Sequence, residues 1–272
     1  MNQITGYLPL SVVGGRDYKN NLWRTNLLIK SLHKFFTSPL TILVVVPNNE
    51  LAPIREALVP TPKISLQFID QEEILPGITT APGIGWYKQQ MLSLQIPLVY
   101  PETNLLKLDP DLILVDAIDH ADFFFDGKTA NDIWHVQANP HVTPYVNSSK
   151  LLDLEIPNLS PGLRWTPFIF DPKLCEALQQ QLKKQNLTLL DLWNKSPWTE
   201  TLLYNITGNS VSSINDFHFH APLIGSTLAS NRQIFNFRIK PTEGVFATLQ
   251  GYTGITEQQA YAILEKSNID LN

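Results

Sequence analysis

Leu105-Leu106-Lys107-Leu108-Asp109-Pro110-Asp111-Leu112-Ile113-Leu114-Val115 sets two carboxylates one residue apart in an apolar run whose spacing and composition read as buried strand. Taking a carboxylate out of water costs several kcal/mol unless a cation or hydrogen-bond donors compensate. Asp-Pro-Asp between two buried strands therefore demands something positive against it. Pro110 fixes its own φ and biases Asp109 toward an extended conformation, which makes the turn rigid. Hard divalent cations such as Mg²⁺ or Mn²⁺ take carboxylate oxygens and keep positions open for substrate phosphates, so the pair suits a metal-diphosphate site. A solvated turn built from ordinary turn formers accounts for the same residues. An Asp-x-Asp phosphatase is a third option, although that chemistry wants the motif on the first strand with Thr or Val close behind.

Outward from this stretch, strands alternate with helices. Tyr7 to Val13 is an expected strand ending at Gly14-Gly15, and Asn20 to Phe36 follows with Leu22, Leu28, Ile29, Leu32, Phe35 and Phe36 on one helical face. Leu40 to Val46 is a continuous apolar run closed by Pro47, as in a strand buried on both faces, and Ile64 to Ile69 is a third strand ending in Asp70. A short helix near 86 to 95 precedes the acid pair. Beyond Val115, Ile133 to Val136, Arg164 to Phe170 and Val245 to Gln250 are expected strands, and Pro172 to Gln185 and Leu189 to Asn205 are expected helices. Thr256 with Gln259 three residues on is a capping pattern that opens a last helix through about Lys266. This order predicts an α/β fold with a mainly parallel central sheet flanked by helices, in one domain over 1–272.

Composition excludes several classes. The chain has 272 residues, 43% of them hydrophobic, enough for a large core. Its formal charge of -5 argues against a protein that binds nucleic acid through the backbone phosphates. The single cysteine, Cys175, forms no internal disulfide, and its place in an amphipathic helix reads as a core thiol. The first residues lack a basic stretch leading into an apolar one, and no apolar run approaches the ~20 residues of a membrane span. A cytoplasmic protein, with room for peripheral contact at the inner membrane face, is the expectation. Gly14-Gly15 lacks both the third glycine of a dinucleotide fingerprint and the Gly-Lys-Ser/Thr of a P-loop, and no Gly-x-Ser-x-Gly elbow exists.

Leu-Lys-Leu-Asp-Pro-Asp-Leu-Ile-Leu resembles the Asp-x-Asp strand of GT-A-fold glycosyltransferases. Gly85-Trp86-Tyr87-Lys88-Gln89-Gln90-Met91-Leu92 resembles the Gly-Trp-Tyr-x-Gln-Gln-x-Leu helix that precedes it in a bacterial group long catalogued as a domain of unknown function. Further matches are Val13-Gly14-Gly15 with Lys30-Ser31-Leu32, Thr166-Pro167-Phe168 leading into Phe170-Asp171-Pro172, Trp198-Thr199-Glu200 with Leu203-Tyr204, and Phe246 to Gly254. Two departures touch the acceptor side: the group's Ser-Glu-Tyr is Thr199-Glu200-Thr201, and its Gln-Ser is Gln250-Gly251.

The resemblance implies Mn²⁺- or Mg²⁺-dependent transfer of a sugar from a nucleoside diphosphate donor, UDP-sugar foremost, to a hydroxyl acceptor. Residues 1–115 would hold the donor and 116–272 the acceptor. Ligands of open α/β sheets gather beyond the carboxyl ends of the strands, where Gly14, Asp70 and Asp109 fall. Gly14 and Gly15 would let backbone approach the nucleotide, Arg16 would meet phosphate or base, and Asp70 would accept from uracil or ribose. Trp86, Lys88 and Gln89 open a helix that faces the diphosphate. Asp111 is the expected direct metal ligand, with Asp109 on the ribose or reaching the metal through water. Glu200 is the candidate base toward the acceptor hydroxyl, against the plainer role of a first-turn glutamate on the helix dipole. Trp134, Trp165, Trp193 and Trp198 are either sugar platforms or core. Asp216-Phe217-His218-Phe219-His220 alternates strictly, so an extended chain would put Asp216, His218 and His220 on one face. The resemblance makes His220 or His218 the completing metal ligand, while a half-buried edge strand needs no function. A protein of the same fold that binds nucleotide or glycan without turnover, and a nucleotidyltransferase, are the alternatives.

Overall fold

Ile4–Pro9 (β1) and Leu40–Val46 (β2) are parallel strands whose side chains divide by the period of two between two apolar clusters. Ile4, Leu8, Ile42, Val44 and Val46 enter one cluster, and Tyr7, Leu43 and Val45 enter the other. Asn21–Phe35 (α1) covers the first face with Leu28, Ile29 and Leu32. The computed structural model describes residues 3–13, 20–82, 85–136, 143–155, 160–164, 166–195, 197–234 and 236–271.

Leu51–Ala57 (α2) leads to Ile64–Asp70 (β3), which extends the sheet as a parallel neighbour of β2. Gln71–Ile74 (α3) follows, capped by Asp70. Gly85–Val99 (α4) then covers the second face with Met91, Leu92, Leu94 and Ile96. Asn104–Lys107 (β4) returns beside β1, again parallel. The stretch 105–115 is thus not one strand. Leu112–Leu114 (β5) lies in a different sheet, and Asp109-Pro110-Asp111 is the joint between the two.

After the joint the strands are short: Phe124–Phe125 (β6), Lys128–Asn131 (β7) and Ile133–Val136 (β8). Thr143–Leu152 (α5) and Ser160–Leu163 (β9) follow, and β9 pairs antiparallel with β8. Phe168–Ile169 (β10) then joins the central sheet antiparallel to β4, giving the order β10-β4-β1-β2-β3. Of the segment expected as one strand over 164–170, only Phe168–Ile169 is strand among the described residues.

Pro172–Lys184 (α6) is the expected helix, with Asp171 as its cap. Leu189 to Asn205 is not a single helix: a 3-10 segment at Leu189–Asn194 gives way to Glu200–Val211 (α7). Pro197 cannot supply an interior N–H, and the Thr199 hydroxyl accepts from Leu202 N at 3.2 Å to start α7 afresh. Ile214–Phe217 (α8) also departs from expectation, because Ser213 and Asp216 form a capping box and coil the chain before the three-residue strand His218–His220 (β11). Asp216 therefore shares no extended face with the two histidines. Ile224–Leu228 (β12) and Phe246–Leu249 (β13) complete the β5 sheet, and Glu257–Lys266 (α9) covers it, opened by the expected Thr256–Gln259 box. Among the described residues no helix is long and apolar enough to cross a membrane.

Candidate functional site

Lys107, the last residue of β4, is 7% exposed, and its Nζ lies 2.9 Å from Glu200 Oε1 and 3.5 Å from Asp109 Oδ1. It packs over the ring of its cross-strand neighbour Phe168, 5.1 Å from the centroid. Burial works against the ammonium, but Asp109, Glu200 and the hydrogen bond outweigh it and raise its pKa above the lysine range. Lys107 is the cation that Asp109 demands. The period of two puts it on the same side of the chain as Asp109. Thr166 Oγ1 donates to the other carboxylate oxygen of Asp109. The Tyr7 phenol is buried in the same group, beside Ser93 and Lys107.

Asp111 has a different environment. Gly251 N donates to its Oδ2 at 2.9 Å, and the carbonyl of Gly251 accepts from Arg24 Nη2 at 2.9 Å. Arg24 comes from α1 and is 2% exposed. Burial first, and the charge of Asp109 second, push the Asp111 carboxyl up to about 6, against the Gly251 N–H and the Arg24 charge. A Cβ at Gly251 would lie 3.1 Å from Arg24 Nη1, so the glycine that replaces the resembled group's serine lets the guanidinium approach.

Glu200 opens α7 and is itself buried, its backbone N donating to Gln90 Oε1 at 2.9 Å. Its carboxylate is thus committed to Lys107.

A cavity of about 320 Å³ lies beyond the carboxyl ends of β1 and β2, lined by Leu10, Ser11, Pro47, Asn49, Lys88 and Gln89 among others. Buried Glu50 fixes the chain leaving β1, accepting from Ser11 Oγ at 2.9 Å and Val12 N at 2.6 Å. Lys88 Nζ donates to Thr79 O at 3.0 Å, and partial burial lowers its pKa, opposed by Glu72. Asp70 ends β3 as expected, with its carboxylate accepting from Asn48 Nδ2 at 2.6 Å and Glu72 N at 3.0 Å. Trp86 is 46% exposed and meets Tyr87 edge-on, and Tyr87 leans on fully buried Trp198. Gly14, Gly15 and Arg16, like Trp165, lie outside the described residues.

His218 is 1% exposed and both ring nitrogens are engaged, Nδ1 with Thr129 Oγ1 at 2.7 Å and Asn131 Nδ2 at 2.9 Å, and Nε2 with the Tyr204 hydroxyl at 2.7 Å. Exposed His220 takes Ile133 N at 3.2 Å on its Nδ1. Among the described residues no three His, Cys, Asp or Glu side chains gather to hold a metal ion, so neither histidine stands with Asp109 and Asp111. The expected histidine ligand is instead a core hydrogen-bond hub at 218 and a contact with the start of β8 at 220. Burial lowers the His218 pKa to about 3, below the ordinary 6.5. A depressed histidine contributes stability that is full above pH 6.5 and is lost as pH falls toward 3. Between pH 7 and pH 5 this costs about 2 kcal/mol. Denaturant unfolding at the two pH values should show that slope, and His218→Gln should flatten it.

Residues 1–265 match the family described as "Family of unknown function (DUF6492)". The chain belongs to the DUF6492 family. Among solved structures, the DUF6492 chain is similar to mouse xyloside xylosyltransferase 1 in its apo form, with 15% identity, a TM-score of 0.53, and coverage of 93% of this chain and 100% of that one. The likeness shows the fold alone, a GT-A-like one. No curated protein matches the chain.

In this DUF6492 protein the acid pair fits a hard divalent cation by its donor chemistry. Two carboxylates close enough to raise the pKa of Asp111 form a site that added positive charge would relieve. Lys107, Arg24 and Thr166 carry the support of that pair, and none was singled out from the sequence as a site residue. Only Lys107 had a local signal, the period of two from Asp109. Arg24 lies 87 positions from Asp111 and Thr166 lies 57 from Asp109.

Proposed function

We propose that this protein is a metal-dependent glycosyltransferase that takes a sugar from a nucleoside diphosphate donor, UDP-sugars foremost, and passes it to a hydroxyl acceptor. The observation that carries the proposal is the placement of the Lys88–Gln89 cavity and the Asp109–Asp111 joint at the same carboxyl edge of a GT-A-like sheet. Residues 1–115 would supply the donor side and 116–272 the acceptor side. Lys88 and Gln89 would face the diphosphate, and Gly14, Gly15, Arg16 and Trp86 are proposed to contact the donor as the resemblance implies. Asp70, already bound by Asn48, would face base or ribose with what hydrogen-bonding capacity it retains. Asp111 would hold Mn²⁺ or Mg²⁺, and Asp109 would touch the ribose or the hydrated ion. The bound ion would supply charge to balance the leaving diphosphate.

Glu200 is better suited to positioning than to proton removal. Its Oε1 already accepts from the buried Lys107 ammonium, and that pairing holds Lys107 against Asp109.

Incubation with a panel of UDP- and other nucleotide-sugars plus Mn²⁺ tests the activity. Release of nucleoside diphosphate is expected; release of pyrophosphate would mean nucleotidylyl transfer, and an intact donor that still raises the melting temperature would mean binding without turnover. A ligand at 100 times its Kd adds about 2.7 kcal/mol, which a thermal-shift assay resolves. Lys88→Ala should weaken UDP binding in Mn²⁺ about tenfold, roughly 1.4 kcal/mol, by titration calorimetry, with the melting temperature unchanged.

A further inference from the structure

Beyond the acid pair, the antiparallel β8–β9 pair presents a second chemical group. Ile133 pairs with Leu163 and Trp134 with Gly162, and Arg164 N donates to Asp132 O at 3.0 Å, so the register continues to Asp132 opposite Arg164. Ile133 and buried Leu163 take the core side. Asp132, Trp134, Gly162 and Arg164 share the other face by the period of two. The diagonal brings the Arg164 guanidinium 6.0 Å from the Trp134 ring centroid. Trp134 keeps 46% of its surface exposed, because its cross-strand partner is a glycine with no side chain to cover the indole.

Asp132 is 8% exposed, yet among the described residues no donor hydrogen-bonds its carboxylate and no Lys, Arg or His nitrogen lies within 4.0 Å of it. Arg164 and His220 act on it only at longer range. The Asp132 oxygens are not sealed away with the unpartnered atoms of the core, so a ligand can reach them, and sugar hydroxyls are the donors that an adjacent exposed indole selects. Arg164 is two residues from Thr166, which bonds Asp109, and two residues span at most about 7 Å.

We infer that Asp132, Trp134 and Arg164 form the acceptor subsite, which takes a neutral carbohydrate by stacking a pyranose face on Trp134 and bonding its hydroxyls to Asp132. The inference rests on the proposed transferase activity. An anionic acceptor is disfavoured, because the Asp132 charge would repel it while Arg164 is occupied over the indole.

The test uses the full chain and a panel of neutral methyl pyranosides and neutral oligosaccharides, with glucuronate as the anionic control. Binding is read by tryptophan fluorescence in wild type, Trp134→Ala, Trp134→Phe and Asp132→Asn. Transfer to the same panel, and hydrolysis of UDP-sugar without acceptor, are measured in parallel. The expected result is binding of at least one neutral glycan by wild type, a tenfold to hundredfold loss in Trp134→Ala and Asp132→Asn, partial retention in Trp134→Phe, and transfer to that glycan falling in step with its binding. Equal glycan binding by wild type and Trp134→Ala, binding of glucuronate alone, or no binding by wild type would overturn the subsite. Absent donor hydrolysis with Trp134-dependent glycan binding intact would overturn the transferase proposal and leave the carbohydrate site standing.

Discussion

Asp111→Asn is expected to remove Mn²⁺-dependent turnover of the donor, by 10²-fold or more, without unfolding the protein. The asparagine keeps an oxygen for Gly251 N–H but loses the charge that a divalent ion needs. Stability should hold or rise, since the native site already pushes the Asp111 carboxyl up to about 6 and so disfavours its ionised form at neutral pH. A gain of about 1 to 3 kcal/mol is the scale of that penalty. Two measurements are needed: nucleoside diphosphate release with titrated Mn²⁺, and urea unfolding. Wild-type turnover in the variant would refute the metal role of Asp111, whatever the stability did.

Lys107→Met carries the largest expected effect on folding. It leaves Glu200 buried without a counter-charge and removes the support of Asp109, and breaking a buried pair from one side costs about 3–5 kcal/mol. Replacing both partners, Lys107→Met with Glu200→Gln, should recover most of that loss, because no unpaired charge is then buried. Urea unfolding of the two single variants and the double variant gives the coupling directly. A Lys107→Met protein within about 1 kcal/mol of wild type would mean that water reaches Glu200 and that the pair is not closed. Glu200→Gln alone separates positioning from base catalysis: a rate that still rises with pH as in wild type means that Glu200 is not the base.

Much of the central sheet was legible because its signals are local. Leu40 to Val46 is continuous apolar β-branched and aliphatic sequence, and it became the strand buried between β1 and β3. Thr256 and Gln259 announce their helix within four residues, and Pro172 does so after Asp171. The second half was less legible, since β6, β7, β10 and β11 are two to four residues long and draw their stability from pairing across the fold. The alternation at 216–220 failed for a related reason. A period of two is a statement about extended chain, and the Ser213–Asp216 capping box coils the first half of that segment at lower cost.

From the sequence alone, Asp109 and Asp111 had to have a positive environment, because desolvating two carboxylates without one is prohibitive wherever the chain goes. Which cations would answer was not encoded nearby for Asp111: the Gly251 N–H and Arg24 arrive only when β13 pairs with β5 and α1 packs on the sheet. Glu200 was visible as a first-turn glutamate, but its pairing with Lys107 exists only because α7 lands against β4. His218 carried the same letter whether it was to bind metal or fill a core, and burial among Thr129, Asn131 and Tyr204 decided it. Sequence determines which groups need partners, since ionisation and desolvation belong to the residue; tertiary structure decides which partners they get, since those lie far away along the chain.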